Sequence, residues 1–214
     1  MAPTPRFRRA PLVLAASLGL VVGVAACSGG SGKSADTSTT RAGTAVTIEA
    51  GPVTIAASGV AGTLSDADRQ AVVETVRRYV TAASLDPLQG RPVGDLTAVF
   101  TPSAVAVVNG PDRAAMLDDG LPKATGKVTA TAKPLAITAL SDPSGAVVLV
   151  GVTLDLDVRA TAAKGAVDVK RTGELVMAKD GAGWKVASYR VSVHRAGAGL
   201  GPQTASTSTT GTTP

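Results

Sequence analysis

Three patterns of apolar and polar positions divide the chain. Residues 10–26 form an uncharged stretch dominated by Leu, Val and Ala. Further on, Val72, Val76, Tyr79, Val80 and Ala83 recur at i, i+4, i+7, i+8 and i+11, which places them on one face of a 3.6-period helix. Ser65 is a good N-cap, with Asp68 three residues on as a capping-box partner and acids in the first turn. This helix is predicted to stop near Ser84, before Asp86-Pro87. Residues 85–126 are punctuated by Pro87, Pro92, Pro102, Pro111 and Pro122, and residues 95–100 and 112–117 are each predicted to form one or two helical turns.

After Gly126 the period becomes two. Val128, Ala130 and Ala132 share a face, and a shift at Pro134 predicts a bulge or an edge position. Val148, Val150, Val152, Leu154, Leu156 and Val158 line one face of the next strand, and Thr153, Asp155, Asp157 and Arg159 line the other. Val167, Val169, Leu175 and Met177 fall together in a third strand. In a fourth, Trp184 and Val186 are predicted to oppose Ala187, Tyr189, Val191 and Val193. Residues 142–145, 162–165 and 180–183 are hairpin-sized and rich in turn residues. The expected architecture is an antiparallel meander of four long strands behind an N-terminal helix, within one domain at residues 62–195.

The flanks differ in composition. Residues 27–61, above all 28–44, and residues 196–214 are dominated by Ser, Thr, Gly and Ala, which bury too little apolar surface to offset ordering entropy. They are expected to be a flexible tether and a disordered tail, the latter open to O-glycosylation or simply solvated.

Composition narrows the chemistry. The chain has one Cys and one His, too few soft or imidazole ligands for a structural zinc site, an iron–sulfur cluster or a Cys–His hydrolase. No cofactor is expected. The formal charge is +5, but Arg6, Arg8 and Arg9 precede the apolar stretch, and without residues 1–26 the balance is 18 basic to 16 acidic residues. Basic residues are dispersed, and outside residues 1–26 the aromatics are only Tyr79, Phe100, Trp184 and Tyr189, so a nucleic-acid partner is unsupported.

A charged n-region, a 17-residue apolar h-region and the small residues Ala25 and Ala26 before Cys27 have the form of a secretory signal. Val24-Ala25-Ala26-Cys27 resembles the bacterial lipobox. The resemblance implies cleavage after Ala26, a diacylglyceryl group on Cys27 and attachment to the extracytoplasmic face of the cell membrane. Two acyl chains hold a protein stably where one binds only marginally. An uncleaved anchor and a buried structural Cys27 are the alternatives. Arg8-Arg9 fits a twin-arginine exporter less well than an ordinary n-region, because Ala10-Pro11 follows the pair.

Element order and the closing Gly183-Trp184-Lys185-Val186 strand resemble the NTF2-like (SnoaL-like, cystatin-like) α+β fold of small lipoproteins from high-GC Gram-positive bacteria. That resemblance implies an N-terminal helix and short helices packed on a curved four-stranded antiparallel sheet, a cone flanked by disordered tails. It does not decide function, because such domains include isomerases, dehydratases and non-catalytic binding modules.

Candidate catalytic residues are few. Asp155 and Asp157 project from one strand face about 7 Å apart and suit acid–base work if their environments differ. On a solvated face they would instead pair with Arg159, Lys170, Arg171 or Arg190. His194, near the end of the last strand, is expected to be exposed, Tyr79 and Tyr189 to be core or rim side chains, and Asp95 and Asp112 to be helix N-caps. Asp118-Asp119-Gly120 lacks the oxygen ligands of a calcium loop. The expectation is a non-enzymatic module for a protein or small apolar ligand, with a homodimer through the sheet left open. The alternatives are an isomerase or dehydratase with an Asp base, and a lipid or glycolipid carrier.

Overall fold

The structure, a computed structural model, describes residues 46–57, 60–181, 183–201 and 207–211. The signal segment, Ala26, Cys27 and the chain up to residue 45 lie outside them.

The protein is α+β. Its sheet follows the order β1 (Ala50–Ala57), β3 (Leu135–Ser141), β4 (Val147–Ala162), β5 (Gly165–Asp180), β6 (Gly183–Ala196) and β7 (Thr207–Gly211), with short β2 (Thr129–Ala132) beside β4 off that path. Four antiparallel strands were expected. The sheet is larger, and it is mixed, because β1 runs parallel to β3.

Two of the added strands come from the segments expected to be tails, and a third arises because the first expected strand is divided at Lys133-Pro134 into β2 and β3, which both pair with β4. Within residues 27–61, Val46 and Ile48 are buried and β1 lies along β3, so ordered structure begins before residue 62. The cause is a strand alternation, with Val53 and Ile55 packed against the core, inside a Thr/Ala/Gly-rich composition. In the C-terminal segment the backbone of β7 pairs antiparallel with β6, from Tyr189↔Gly211 to Val193↔Thr207.

The N-terminal helix forms as its sequence predicts and then runs on. Helix α1 spans Asp66–Val80, and Ser65 caps it by accepting from the Asp68 N–H at 3.0 Å. Val72, Val76, Tyr79, Val80 and Ala83 are all fully buried. The chain continues through a π-helical turn, Thr81–Leu85, into the short α2 (Asp86–Leu88) instead of stopping at Ser84. A 3-10 turn at Leu96–Ala98, α3 (Pro102–Asn109) and α4 (Arg113–Met116) follow. Helices α1, α3 and α4 all contact β6, which puts the helical layer on one face of the sheet.

Between helices and sheet lies a filled apolar core. Phe100 is edge-on to Tyr79 and to Tyr189, with centroids 5.6 and 6.2 Å apart. The inner stripe of β4 is buried from Val150 to Val158, whereas Val148, expected in that stripe, is 40% exposed, because the register shift at Leu140/Ser141 skips it. In β6 a second register shift skips Ala187, so Trp184 and Val186 share the buried face with Tyr189, Val191 and Val193 instead of opposing them. One extra residue in a strand resets the alternation that a strict period of two assumes.

Candidate functional site

Inside the helical layer lies a cluster of charged side chains. Arg171 on β5 and Asp118 after α4 have no exposed side-chain surface, and Arg195 near the end of β6 keeps only 10% of its own. Strand alternation puts Arg171 in line with Val167 and Val169, and Arg195 in line with Val191 and Val193. Both guanidiniums therefore point to the core, and one carboxylate meets them.

The path of α1 into α2 positions that carboxylate. Pro87 has no N–H, so it cannot donate to the Ala83 carbonyl as an ordinary helical residue would. A π turn absorbs the mismatch, with the Asp86 N–H donating to the Thr81 carbonyl. The Asp118 N–H takes up the Ala83 carbonyl at 2.8 Å. Ser84, on the same turn, donates its hydroxyl to Asp118 Oδ2 at 2.7 Å.

The remaining contacts complete a closed network. Arg171 Nη2 donates to Asp118 Oδ2 at 2.7 Å, its Nε to Ser84 Oγ at 3.1 Å, and its Nη1 to the Tyr79 hydroxyl at 3.2 Å. Tyr79 donates onward to the Met116 carbonyl at 3.4 Å. Arg195 Nε donates to Asp118 Oδ1 at 2.9 Å, and its Nη2 to the Leu117 and Ala115 carbonyls at 3.2 and 3.4 Å. Desolvating each ion costs several kcal/mol, so such a group persists only where most of its polar atoms are satisfied, as they are here.

Electrostatics follow from that geometry. Burial pushes the Asp118 carboxyl up, but the Arg171 and Arg195 charges and the hydrogen bonds from Arg171 and Ser84 more than reverse it, leaving it below the usual range. Burial raises the Tyr79 phenol. For Arg171, burial acts to lower the value, and Asp118 and Tyr79 outweigh it, so the net direction is up. Asp118 is thus an anion, Tyr79 is neutral and Arg171 is a cation throughout the neutral range.

Arg195 also reaches a surface pocket of about 370 Å³. Arg113 and Asp119, bonded to each other at 2.7 Å, also line it, and Pro111, Ala114, Leu117 and Leu121 form apolar walls.

The residues singled out from sequence lie elsewhere, apart from Tyr79. Asp155 and Asp157 occupy the outer face of β4. Asp155 lies 2.5 Å from Lys133 Nζ and 3.1 Å from Lys170 Nζ, and Asp157 lies 3.5 Å from Lys170. Hydrogen bonds from Lys133 and then Lys170 hold Asp155 below the usual carboxylate range. Arg171, expected among their partners, is on the opposite face. His194 is exposed on the outer face, in register with Lys170.

The two expected caps differ. Asp95 caps the 3-10 turn by accepting from the Thr97 N–H at 2.8 Å. Asp112 precedes α4 but makes no capping bond with its side chain, which accepts from the Tyr189 hydroxyl at 2.7 Å. Burial, then that hydrogen bond and the Asp112 charge, push the Tyr189 phenol well up.

Arg171, Arg195, Asp118 and Ser84 were not recognised from sequence as one group. The signal for the arginines is parity, since each stands at an inward position of a buried stripe. Among the described residues no cluster of His, Cys, Asp and Glu can hold a metal ion, and no helix is long and apolar enough to cross a membrane. Comparison with known proteins gives no match to a family model, to a curated protein or to a solved structure.

Proposed function

We propose that the protein is a lipid-anchored extracytoplasmic binding module whose NTF2-like domain has no catalytic role. The observation carrying the non-catalytic part is the saturation of Asp118. An Asp-base enzyme needs a carboxylate that can take a proton near the working pH. Asp118 lies beside Tyr79, but both its oxygens are held by cations and its carboxyl is pulled down. Asp155 is held down by lysines on an open face. The described interior is filled by Tyr79, Phe100, Met116, Trp184 and Met177, which speaks against a carrier with an acyl cavity through the domain.

The anchor rests on the sequence Val24-Ala25-Ala26-Cys27, and the long polar stretch after it is the tether. Expression in an actinobacterial host with an alkyne-labelled palmitate tests it. Label and membrane fractionation are expected for the native chain, with both lost in Cys27→Ser. A Cys27→Ser protein that stays in the membrane fraction overturns the anchor.

A further inference from the structure

We propose that the pocket at Arg195 binds a monocarboxylate amphiphile, with its head on the Arg195 guanidinium and its tail against Pro111, Ala114, Leu117 and Leu121. The inference rests on the binding-module reading and adds a ligand class to it.

Charge bookkeeping is the first argument. Arg171 and Arg195 share the single carboxylate Asp118, and the Arg113–Asp119 pair beside them is balanced. Within that buried group two guanidiniums thus face one carboxylate, an excess of one positive charge, and the neighbouring Asp112 gives its side chain to the Tyr189 hydroxyl instead. Such an excess is costly unless an anion meets it.

Arg195 is also arranged to receive one. Its Nε and Nη2 are engaged by Asp118 and by the Ala115 and Leu117 carbonyls. Its Nη1 takes part in none of these bonds. The side chain is nine-tenths buried and lines the pocket, so its head is fixed before a ligand arrives. A donor held in this way loses little entropy on binding.

Pocket size and walls select the remainder of the ligand. A volume of about 370 Å³ is at the small end of the range for small-molecule sites. Four apolar wall residues reward a hydrocarbon tail. A single excess charge matches a carboxylate better than a dianionic phosphate. Gly120 also lines the pocket, and a Cβ added there would meet nothing within 4 Å, so a side chain can be introduced without disturbing the core.

Octanoate is the probe, with acetate, octanol and inorganic phosphate as controls, each titrated into the full-length chain in neutral detergent micelles. Binding is read from thermal unfolding and from the carboxyl resonance of isotope-labelled octanoate. Saturable octanoate binding is expected, with each control at least about tenfold weaker. Gly120→Glu, which sets a like charge beside the pocket, is expected to weaken octanoate about tenfold, and the neutral Gly120→Gln to stay within about twofold. Micelle partitioning is common to all three proteins and cancels from the comparison. Absence of saturable binding, equal binding by acetate, octanol or phosphate, or indifference to Gly120→Glu overturns the ligand class. None of these results touches the anchor on Cys27, whereas turnover of octanoate would overturn the non-catalytic reading instead.

Discussion

The Asp118 N–H donates to the Ala83 carbonyl at 2.8 Å, and that carbonyl is free because the residue four positions on is Pro87. A local defect in helix geometry thus supplies the acceptor that anchors the one carboxylate of the buried network. Pro87→Ala restores an N–H that competes for the same carbonyl. Amide hydrogen exchange at Asp118 is expected to become faster than in the native chain, with a stability loss of about 1 kcal/mol. Unchanged protection at Asp118 would show that the proline does not control the contact.

Removing the carboxylate itself has a larger effect. Asp118→Asn leaves two guanidiniums facing a neutral amide and is expected to cost about 3–5 kcal/mol in urea unfolding. Combining it with Arg171→Met removes one stranded charge, so the double variant is expected to lose less than the sum of its parts.

The same residue contributes to acid sensitivity. The Asp118 carboxyl lies lower in the folded protein than its unfolded value near 3.8. A depressed carboxyl stabilises the fold above the unfolded value, and that stabilisation is lost as pH falls through the folded value. Native stability is therefore expected to decline below about pH 4. The shallower decline of an Asp118→Asn protein, measured by urea midpoints across the acid range, isolates this residue from the lowered Asp68, Asp95, Asp142 and Asp155.

At the alkaline end the sign reverses. Tyr79 and Tyr189 are the chain's two tyrosines, and burial raises both phenols in the folded state. Their contribution is complete below the ordinary phenol value of 10.0 and is lost as pH rises past it. Phenolate absorbance and far-ultraviolet circular dichroism are expected to change together. A phenolate step that precedes loss of secondary structure would contradict the burial of the titrating ring.

Gly173 sits two residues beyond Arg171 with φ at +150°, and a Cβ there would stand 2.0 Å from the Arg190 carbonyl oxygen. Gly173→Ala is expected to destabilise by at least about 2 kcal/mol, seen as a lower urea midpoint with an unchanged slope. Asp155→Ala, on the outer face, is expected to cost less than about 1 kcal/mol, because its lysine partners are largely solvated.

Much of this molecule was legible as pattern. The apolar face of α1 and the β4 stripe from Val150 to Val158 follow from periodicity alone. Local events escape it: a π turn carries the helix past Pro87, the expected stop, Ala187 resets the parity of β6, Val148 bulges out of the β4 stripe, and the Val46–Ile55 alternation hides in a linker-like composition. The buried cluster escaped for a different reason. Assigning Arg171 by its charge put it outside, whereas its position between Val169 and Leu175 put it inside. Asp118 carries no local sign of its role, because the groups that hold it come from Ser84, Arg171 and Arg195, which are close only after folding.

The parallel pairing of β1 with β3 sets an order of events during synthesis. A ribosome makes β1 first of the described strands, and its neighbour among them, residues 135–141, appears after both the helical layer and β2 have been made. Throughout that interval the N-terminal strand presents unpaired backbone groups to any other chain nearby. Gly51 and Pro52 fall where the register breaks between Ala50 and Val53, and the proline has no N–H to offer. The ladder a stray chain would need is interrupted in the strand that waits longest for its own.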